Sequence, residues 1–341
     1  MYTIVDYLKY YKDSNFDEVG FNVMDNLLFS ILVYLPIESF DKVKSFDEFC
    51  NYSMQYKDIK TNSSLAHIAF DLLKEINGSK RYKSITVSNF VNYRDNNTQF
   101  GASKFKIGDK TIIAYKGTDH SSIGWYENFR LLYLFPTYTQ SVAYDYLKKN
   151  ILKSDKNIYL CGHSKGGNLS ISSALLCDKT LLKKIVKIYN FDGPGVLSKE
   201  FNSERFNIIS KKLVNIIPTG SVIGAFLYNQ GYDVVESVSS LFNEHYPNSW
   251  CVFGTKFVHG KLSKVSQKLH VSTTKGVSEL NQSDIRDAIE SIINVLGKEG
   301  KSDFDFSFND VKEIIKNMKG IDKNVSRLLI TILSNMFNLG N

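Results

Sequence analysis

The chain has 341 residues, of which 43% are hydrophobic and 23% charged, enough for one large core or two modest ones. That balance excludes a disordered or fibrous chain, and no stretch approaches the ~20 uninterrupted apolar residues of a membrane span. The net charge of +7 comes from scattered lysines, which excludes a nucleic-acid footprint and leaves a mild attraction to anionic surfaces, with peripheral membrane contact as its limit.

The first residues, MYTIVDYLKYYKDSN, carry acids and lysines where a signal peptide needs an apolar run. Residues 1–80 have helical periodicity. Val5, Leu8 and Tyr11, then Val23, Leu27, Leu28, Ile31, Leu32 and Leu35, recur every three or four positions until Pro36. Ala66, Ile68, Ala69, Leu72, Leu73 and Ile76 predict a further amphipathic helix, stopped by Asn77-Gly78, with His67 on one of its faces. Strand alternation is missing here, so a helical layer over the sheet edge is expected.

Strands are predicted from Ile85, through Asn89 to Tyr93, and as a hairpin of 99–106 and 110–116 around Gly108-Asp109. The second hairpin arm runs into Gly117-Thr118-Asp119. A small hydroxyl residue just past a central strand can supply an oxyanion donor through its N–H and side chain, or it can simply turn the chain. Residues 120–136 contain an aromatic run from Trp125 to Phe135, readable as a lid, as an acyl-chain wall or as buried packing. A helix is predicted over 140–150.

The chain is organised around Ile158 to Ser170 (IYLCGHSKGGNLS). An apolar strand stops at Gly162-His163-Ser164-Lys165-Gly166-Gly167, and a helical segment over 168–177 follows at once. The bare pattern G-x-S-x-G arises by chance in roughly one chain in ten of this length. Its strand–turn–helix context is what marks a nucleophile elbow. The bend lifts the Ser164 hydroxyl clear, Gly162 and Gly166 spare their neighbours a Cβ, and the Lys165 N–H points outward at a helix N-terminus. The competing reading is a tight turn in an ordinary α/β domain.

Another strand, 187–191, ends in Asp192-Gly193-Pro194-Gly195, where a carboxylate either serves catalysis or closes the turn. A strand over 213–217, a helix over 221–228 and a short strand over 234–238 are expected next. His245 then lies in a polar loop with Pro247 and Trp250, so Ser164, Asp192 and His245 follow one another in α/β-hydrolase order. His259 and His270 compete for the base, Asp233 competes for the acid, and His163 is expected to point away and pack. The six histidines show no metal-ligand spacing, so no metal or other cofactor is expected. Four cysteines (Cys50, Cys161, Cys177, Cys251) without a C-x-x-C pair read as reduced core thiols of a cytoplasmic protein. Residues 277–341 return to helix, with Ser283-Asp284 as an N-cap, a polar link over 297–305, and helices over 311–318 and 325–337.

Several segments together resemble one family. They are 115–119 (YKGTD), Gly124-Trp125, 162–169 (GHSKGGNL), 190–195 (NFDGPG), Ile217-Pro218 with Val222-Ile223-Gly224, and His245 with Pro247 and Ser249-Trp250. The resemblance, over about residues 2–275, is to the bacterial α/β-hydrolases labelled Mbeg-like, which are distantly similar to fungal-type (class 3) lipases. It implies an α/β-hydrolase fold, a serine nucleophile, and Thr118 in the place of the class 3 oxyanion residue. Class 3 lipases take their acid from a later strand, at a position matching Ser221 here. Serine cannot serve, so the acid falls to Asp192, as in pancreatic-type lipases. Where the family often has His-Asp-Pro, this chain has His245-Tyr246-Pro247.

The reading is an α/β-hydrolase domain over 1–275, made of a helical layer (1–80) and a sheet core (81–275), with a helical extension over 276–341. Its expected activity is that of a lipase-like esterase using Ser164, His245 and Asp192, with Thr118 and Lys165 as the oxyanion hole and a small-molecule or lipid ester as substrate. The alternatives are a non-catalytic interaction or acyl-binding module, and a thioesterase or peptidase with the same triad.

Overall fold

A computed structural model describes residues 1–298 apart from 62, 120 and 230, together with 323–327 and 329–330. The order is α1 (Ile4–Tyr11), α2 (Val23–Leu32), β1 (Lys44–Ser45), α3 (Phe46–Met54), α4 (Ser64–Ile76), β2 (Thr86–Arg94), β3 (Gln99–Ile107) and β4 (Lys110–Tyr115). It continues with α5 (Ser122–Arg130), α6 (Tyr138–Asn150), β5 (Asn157–His163), α7 (Lys165–Leu176), α8 (Lys179–Lys184), β6 (Ile185–Phe191), α9 (Ser198–Phe201), α10 (Glu204–Ser210), β7 (Leu213–Pro218) and β8 (Asp233–Val235). A hairpin of β9 (Val252–Phe253) and β10 (Lys256–Phe257) and the helices α11 (Lys264–Glu279) and α12 (Gln282–Lys298) follow.

The first eight strands form one sheet in sequence order. β1 to β4 pair antiparallel, and β4 to β8 pair parallel, so the molecule is α/β with a mostly parallel sheet. Alternation along the central strands feeds two cores. Ile112, Ala114 and Cys161 face one side, while Ile113, Tyr115, Ile158 and Leu160 face the other. Helices α6 and α7 cover the second side as crossovers, and α10 packs on α7. The first side would be bare without residues 1–80. Helix α2 lies against β4 and β5, with α1 and α4 packed on it. The N-terminal layer therefore covers the edge of the sheet through α3, which packs on β1 and β2, and also its middle through α2, where the apolar residues of β4 and β5 need a cover.

Three expectations change. Residues 1–80 do contain a strand, the two-residue β1, whose Ser45 also caps α3. The two segments predicted around Ile85 and Asn89 are one strand with a bulge, where the register shifts and Asn89 takes φ 52°. Residues 221–228 are not helical. Their backbone instead pairs with the Gly-Pro-Gly turn, through Gly195 N–H to Phe226 O (2.9 Å) and mutual Val196–Tyr228 bonds, and Leu227 takes φ 61°.

A third cluster joins α5, residues 222–227, α11 and α12, with Val325 and Leu329 added. Arg130 on α5 grips Glu290 on α12 through Nε to Oε1 (2.9 Å) and Nη2 to Oε2 (3.2 Å). Helix α12 begins at Gln282, so Ser283 lies inside it, and its main-chain N–H donates to Asn281 Oδ1 (3.0 Å). The helix expected over 311–318 lies outside the described residues. Of the one expected over 325–337, residues 325–327, 329 and 330 are helical and the rest lies outside them. The four cysteines are buried and unbridged.

One charge is fully enclosed in the N-terminal layer. Arg81 donates from Nε to Asp25 Oδ1 (2.9 Å) and from Nη2 to Asp25 Oδ2 (2.7 Å), and both side chains have no solvent exposure. Tyr82 OH, Tyr7 OH and the Asn22 main-chain N–H also donate to the carboxylate. Removing one member leaves the other charged in an apolar surrounding. Asp25→Ala is expected to cost about 3–5 kcal/mol by urea unfolding, whereas Asp71→Ala, which breaks the exposed pair with Lys74, should cost under about 1 kcal/mol.

Candidate active site

Strand β5 passes into α7 with no intervening residue but Ser164, and that residue is forced to φ 58° and ψ −132°. An L side chain adopts such a conformation only when its surroundings compel it. The glycines make the close approach feasible. A Cβ on Gly162 would lie 2.2 Å from Gly166 C and O, and one on Gly166 would lie 2.2 Å from Tyr115 O. Ser164 itself is half-buried, at the floor of a cleft also lined by Thr118, Lys165, His245 and several apolar side chains.

The Asp192 carboxylate is fully buried at the end of β6, at φ 48°. Its main-chain N–H bonds Ile216 O (2.8 Å), and Asn190 holds the turn by accepting from Gly193 N–H (3.0 Å) and donating to Gly193 O (2.9 Å). Oδ2 receives His245 Nδ1 at 2.7 Å, while Oδ1 accepts from the Ser221 hydroxyl and from Gly224 N–H (3.1 Å). A carboxylate so placed fixes the proton on Nδ1 and leaves Nε2 with a lone pair. Ser221 thus helps to hold the Asp192 carboxylate toward His245. It does so because residues 221–224 wrap around Asp192 in an irregular turn, where a helix could not place both donors.

Ser164 and His245 border the same cleft, and among the described residues the Ser164 hydroxyl makes no hydrogen bond to the ring. Catalytic contacts of this kind commonly tighten only in the Michaelis complex. The competitors are elsewhere. His259 is exposed and bridges to Val235, the His270 ring faces Ala225 O (2.9 Å), and Asp233 is exposed on β8.

On the oxyanion side, the Thr118 hydroxyl pairs with the Asn128 side chain, whose Nδ2 reaches Oγ1 at 2.9 Å. The same hydroxyl lies 3.1 Å from Asn128 Oδ1 and donates to it, so the Asn128 amide holds Thr118 Oγ1 as acceptor and as donor. The Lys165 N–H sits at the first position of α7, where it has no partner four residues back. The Lys165 side chain is buried, which pushes its amine down to about 8, against the opposing pull of Glu127 and Asp119. In the aromatic run, Trp125, Leu131 and Leu132 line the cleft together with Ile223, Phe226 and Leu227, and all of these share one apolar cluster with Tyr126, Phe129 and residues of α12.

His163 does more than pack. Its ring points away from Ser164 but lies 4.5 Å, centroid to centroid, from that of His245, and its Nε2 donates to the His245 main-chain carbonyl (2.8 Å). Beyond it, the Tyr34 hydroxyl accepts from Gly117 N–H (3.0 Å) and lies 3.2 Å from His163 O. Two more residues brace the base from the far side. Trp250 Nε1 donates to Glu244 O (2.7 Å), and the Glu244 carboxylate accepts from Thr219 Oγ1 and Gly220 N–H, both at 2.7 Å. Spacing along the chain carried no sign of Tyr34 or Glu244, since both act through folded contacts more than twenty residues away. Among the described residues no three His, Cys, Asp or Glu side chains converge as a metal site, and no helix is long and apolar enough to cross a membrane.

Burial holds His163 well below the ordinary histidine range, with the neighbouring His245 charge adding to the shift and the His245 carbonyl opposing it. The unfolded chain would therefore bind a proton at this residue below about pH 6.5 that the folded chain refuses. Stability from this group is present above about pH 6.5 and is lost on acidification. In urea unfolding between pH 7.5 and 5, wild type should lose more stability than His163→Gln; equal losses would remove this account.

A model of the Mbeg1-like family matches residues 76–294, starting later and ending later than the span of about 2–275 that the resemblance covers. No curated protein matches the chain.

Proposed function

The chain belongs to the Mbeg1-like family, and we propose that it is a serine hydrolase with an α/β-hydrolase fold that cleaves carboxylic esters. The observation that carries this reading is the 2.7 Å contact of buried Asp192 with His245 at the mouth of the cleft whose floor is Ser164. A carboxylate buried without exposure costs desolvation, and pairing it with an imidazole that borders a cleft is the arrangement of a general base with its orienting acid.

In the proposed reaction the Ser164 Oγ attacks the ester carbonyl while His245 Nε2 takes its proton. The tetrahedral oxyanion is bound by the N–H groups of Thr118 and Lys165 and by the Thr118 hydroxyl. Collapse expels the alcohol, which receives the proton from His245, and an acyl enzyme remains. Water, deprotonated by the same nitrogen, then releases the carboxylic acid and restores Ser164. Asp192 orients the ring and offsets its transient charge without itself taking the proton. Six apolar residues among those lining the cleft, Trp125, Leu131, Leu132, Ile223, Phe226 and Leu227, support a lipid or other acyl ester over a polar one. A thioester would meet the same groups.

Ser164→Ala is expected to abolish both labelling by a fluorophosphonate probe and turnover of p-nitrophenyl esters, with an unchanged circular dichroism spectrum. Undiminished labelling of that variant would refute the nucleophile. Asp192→Asn should lower kcat by about 10²–10⁴, against less than about twofold for Asp233→Asn.

A further inference from the structure

Thr118 sits between two pinned neighbours. Before it, Gly117 N–H donates to the Tyr34 hydroxyl (3.0 Å). After it, Asp119 N–H donates to Gln99 Oε1 (3.3 Å). Gln99 opens β3 and is 1% exposed, and the same Oε1 accepts from Lys165 Nζ at 3.1 Å. Lys165 Nζ also reaches Gln99 O at 3.2 Å, and the lysine is 3% exposed. An amide oxygen that takes two N–H donors cannot be turned round without setting its own NH2 against both. Gly124 shuts the remaining side. A Cβ there would lie 3.0 Å from Thr118 Cγ2 and 3.1 Å from Gln99 Oε1.

One buried amide therefore joins the residue that follows Ser164 to the residue that follows Thr118. These are the two segments whose N–H groups must point at one oxygen atom. A lysine at the position after the nucleophile offers its backbone to that oxygen, and its side chain reaches back to anchor the other donor's loop.

We propose that Gln99, gripped by the Lys165 side chain, is a positioning residue that sets the spacing of the two oxyanion donors. The proposal rests on the reading of Ser164 as nucleophile. Donors aimed in advance are worth most when they need no rearrangement as charge develops, so loosening the Thr118 loop lowers the rate of acyl transfer more than it weakens substrate binding.

The test is Gln99→Leu, which removes the acceptor, beside Gln99→Glu, which restores one. The first readout is amide hydrogen exchange, comparing the Gly117–Asp119 segment with α6. The second is kcat and KM on p-nitrophenyl butyrate. The expected result for Gln99→Leu is exchange at least about tenfold faster, confined to Gly117–Asp119, with kcat at least about tenfold lower and KM within about twofold. Gln99→Glu should recover most of both. Unchanged exchange at that segment overturns the proposal, as does acceleration shared equally with α6. So does an unchanged kcat in an enzyme that Ser164→Ala inactivates. If Gln99→Leu fails to fold, Lys165→Met breaks the same bridge from its other end and is read in the same way. Full turnover by Ser164→Ala would instead refute the nucleophile reading, and the exchange result would still decide whether Gln99 holds the loop.

Discussion

The backbone of Ser164 is held where a serine does not go by itself. β5 and α7 meet at that residue with no slack. Gly162 packs on Gly166, Gly166 on Tyr115 and Gly193 on Ser164 O through main-chain atoms, and the Asn190 side chain fills the space beside Gly167 and Gly193, in each case leaving no room for a Cβ. The strain at one residue is thus maintained by packing around it, from β4, α7 and the turn after β6. Were that packing to relax, Ser164 would leave the conformation that places it in the lining of the cleft.

Two loops then have to meet this fixed point, and each is anchored independently. The His245 loop is held by the Asp192 carboxylate, by His163 on its carbonyl and by Trp250 and Glu244 on the residue before. The Thr118 loop is held by Tyr34 and Gln99. Tyr34 follows α2, so the N-terminal layer contributes a hydroxyl to the middle of the site as well as an apolar cover for the sheet. The cleft's apolar wall has its own support, because α5 carries Trp125 on one face and is clasped to α12 through Arg130 and Glu290.

Much of this was legible in the sequence wherever a local rule fixed the outcome. The glycine pattern of 162–167 demands a bend whatever the tertiary context, and the 99–107 and 110–115 arms announce their hairpin through Gly108. Asp192 could be located, though not decided, because a carboxylate before Gly-Pro-Gly also closes turns. The choice between it and Asp233 needed the 2.7 Å contact with His245. What stayed hidden depends on distant partners. Residues 221–228 carry helical spacing, yet they bend around Asp192 because its carboxylate and the 195–196 backbone compete for their N–H groups. His163 was expected only to pack, since nothing at position 163 tells that the carbonyl of residue 245 will be above its ring. Likewise β1 has two residues and no period, so only its pairing with β2 reveals it.

The sheet's two borders are short. On one side β1 exposes just two residues before the chain turns into α3, and one of them is Lys44. On the other, β8 has three residues, and its outer backbone is already taken by the segment 258–260, through Glu236 N–H to Val258 O and Gly260 N–H to Val234 O. Among the described residues, then, neither rim offers an incoming chain a run of open peptide groups. The sheet's described rims therefore give crowded copies of this molecule little template for extending one another's ladders.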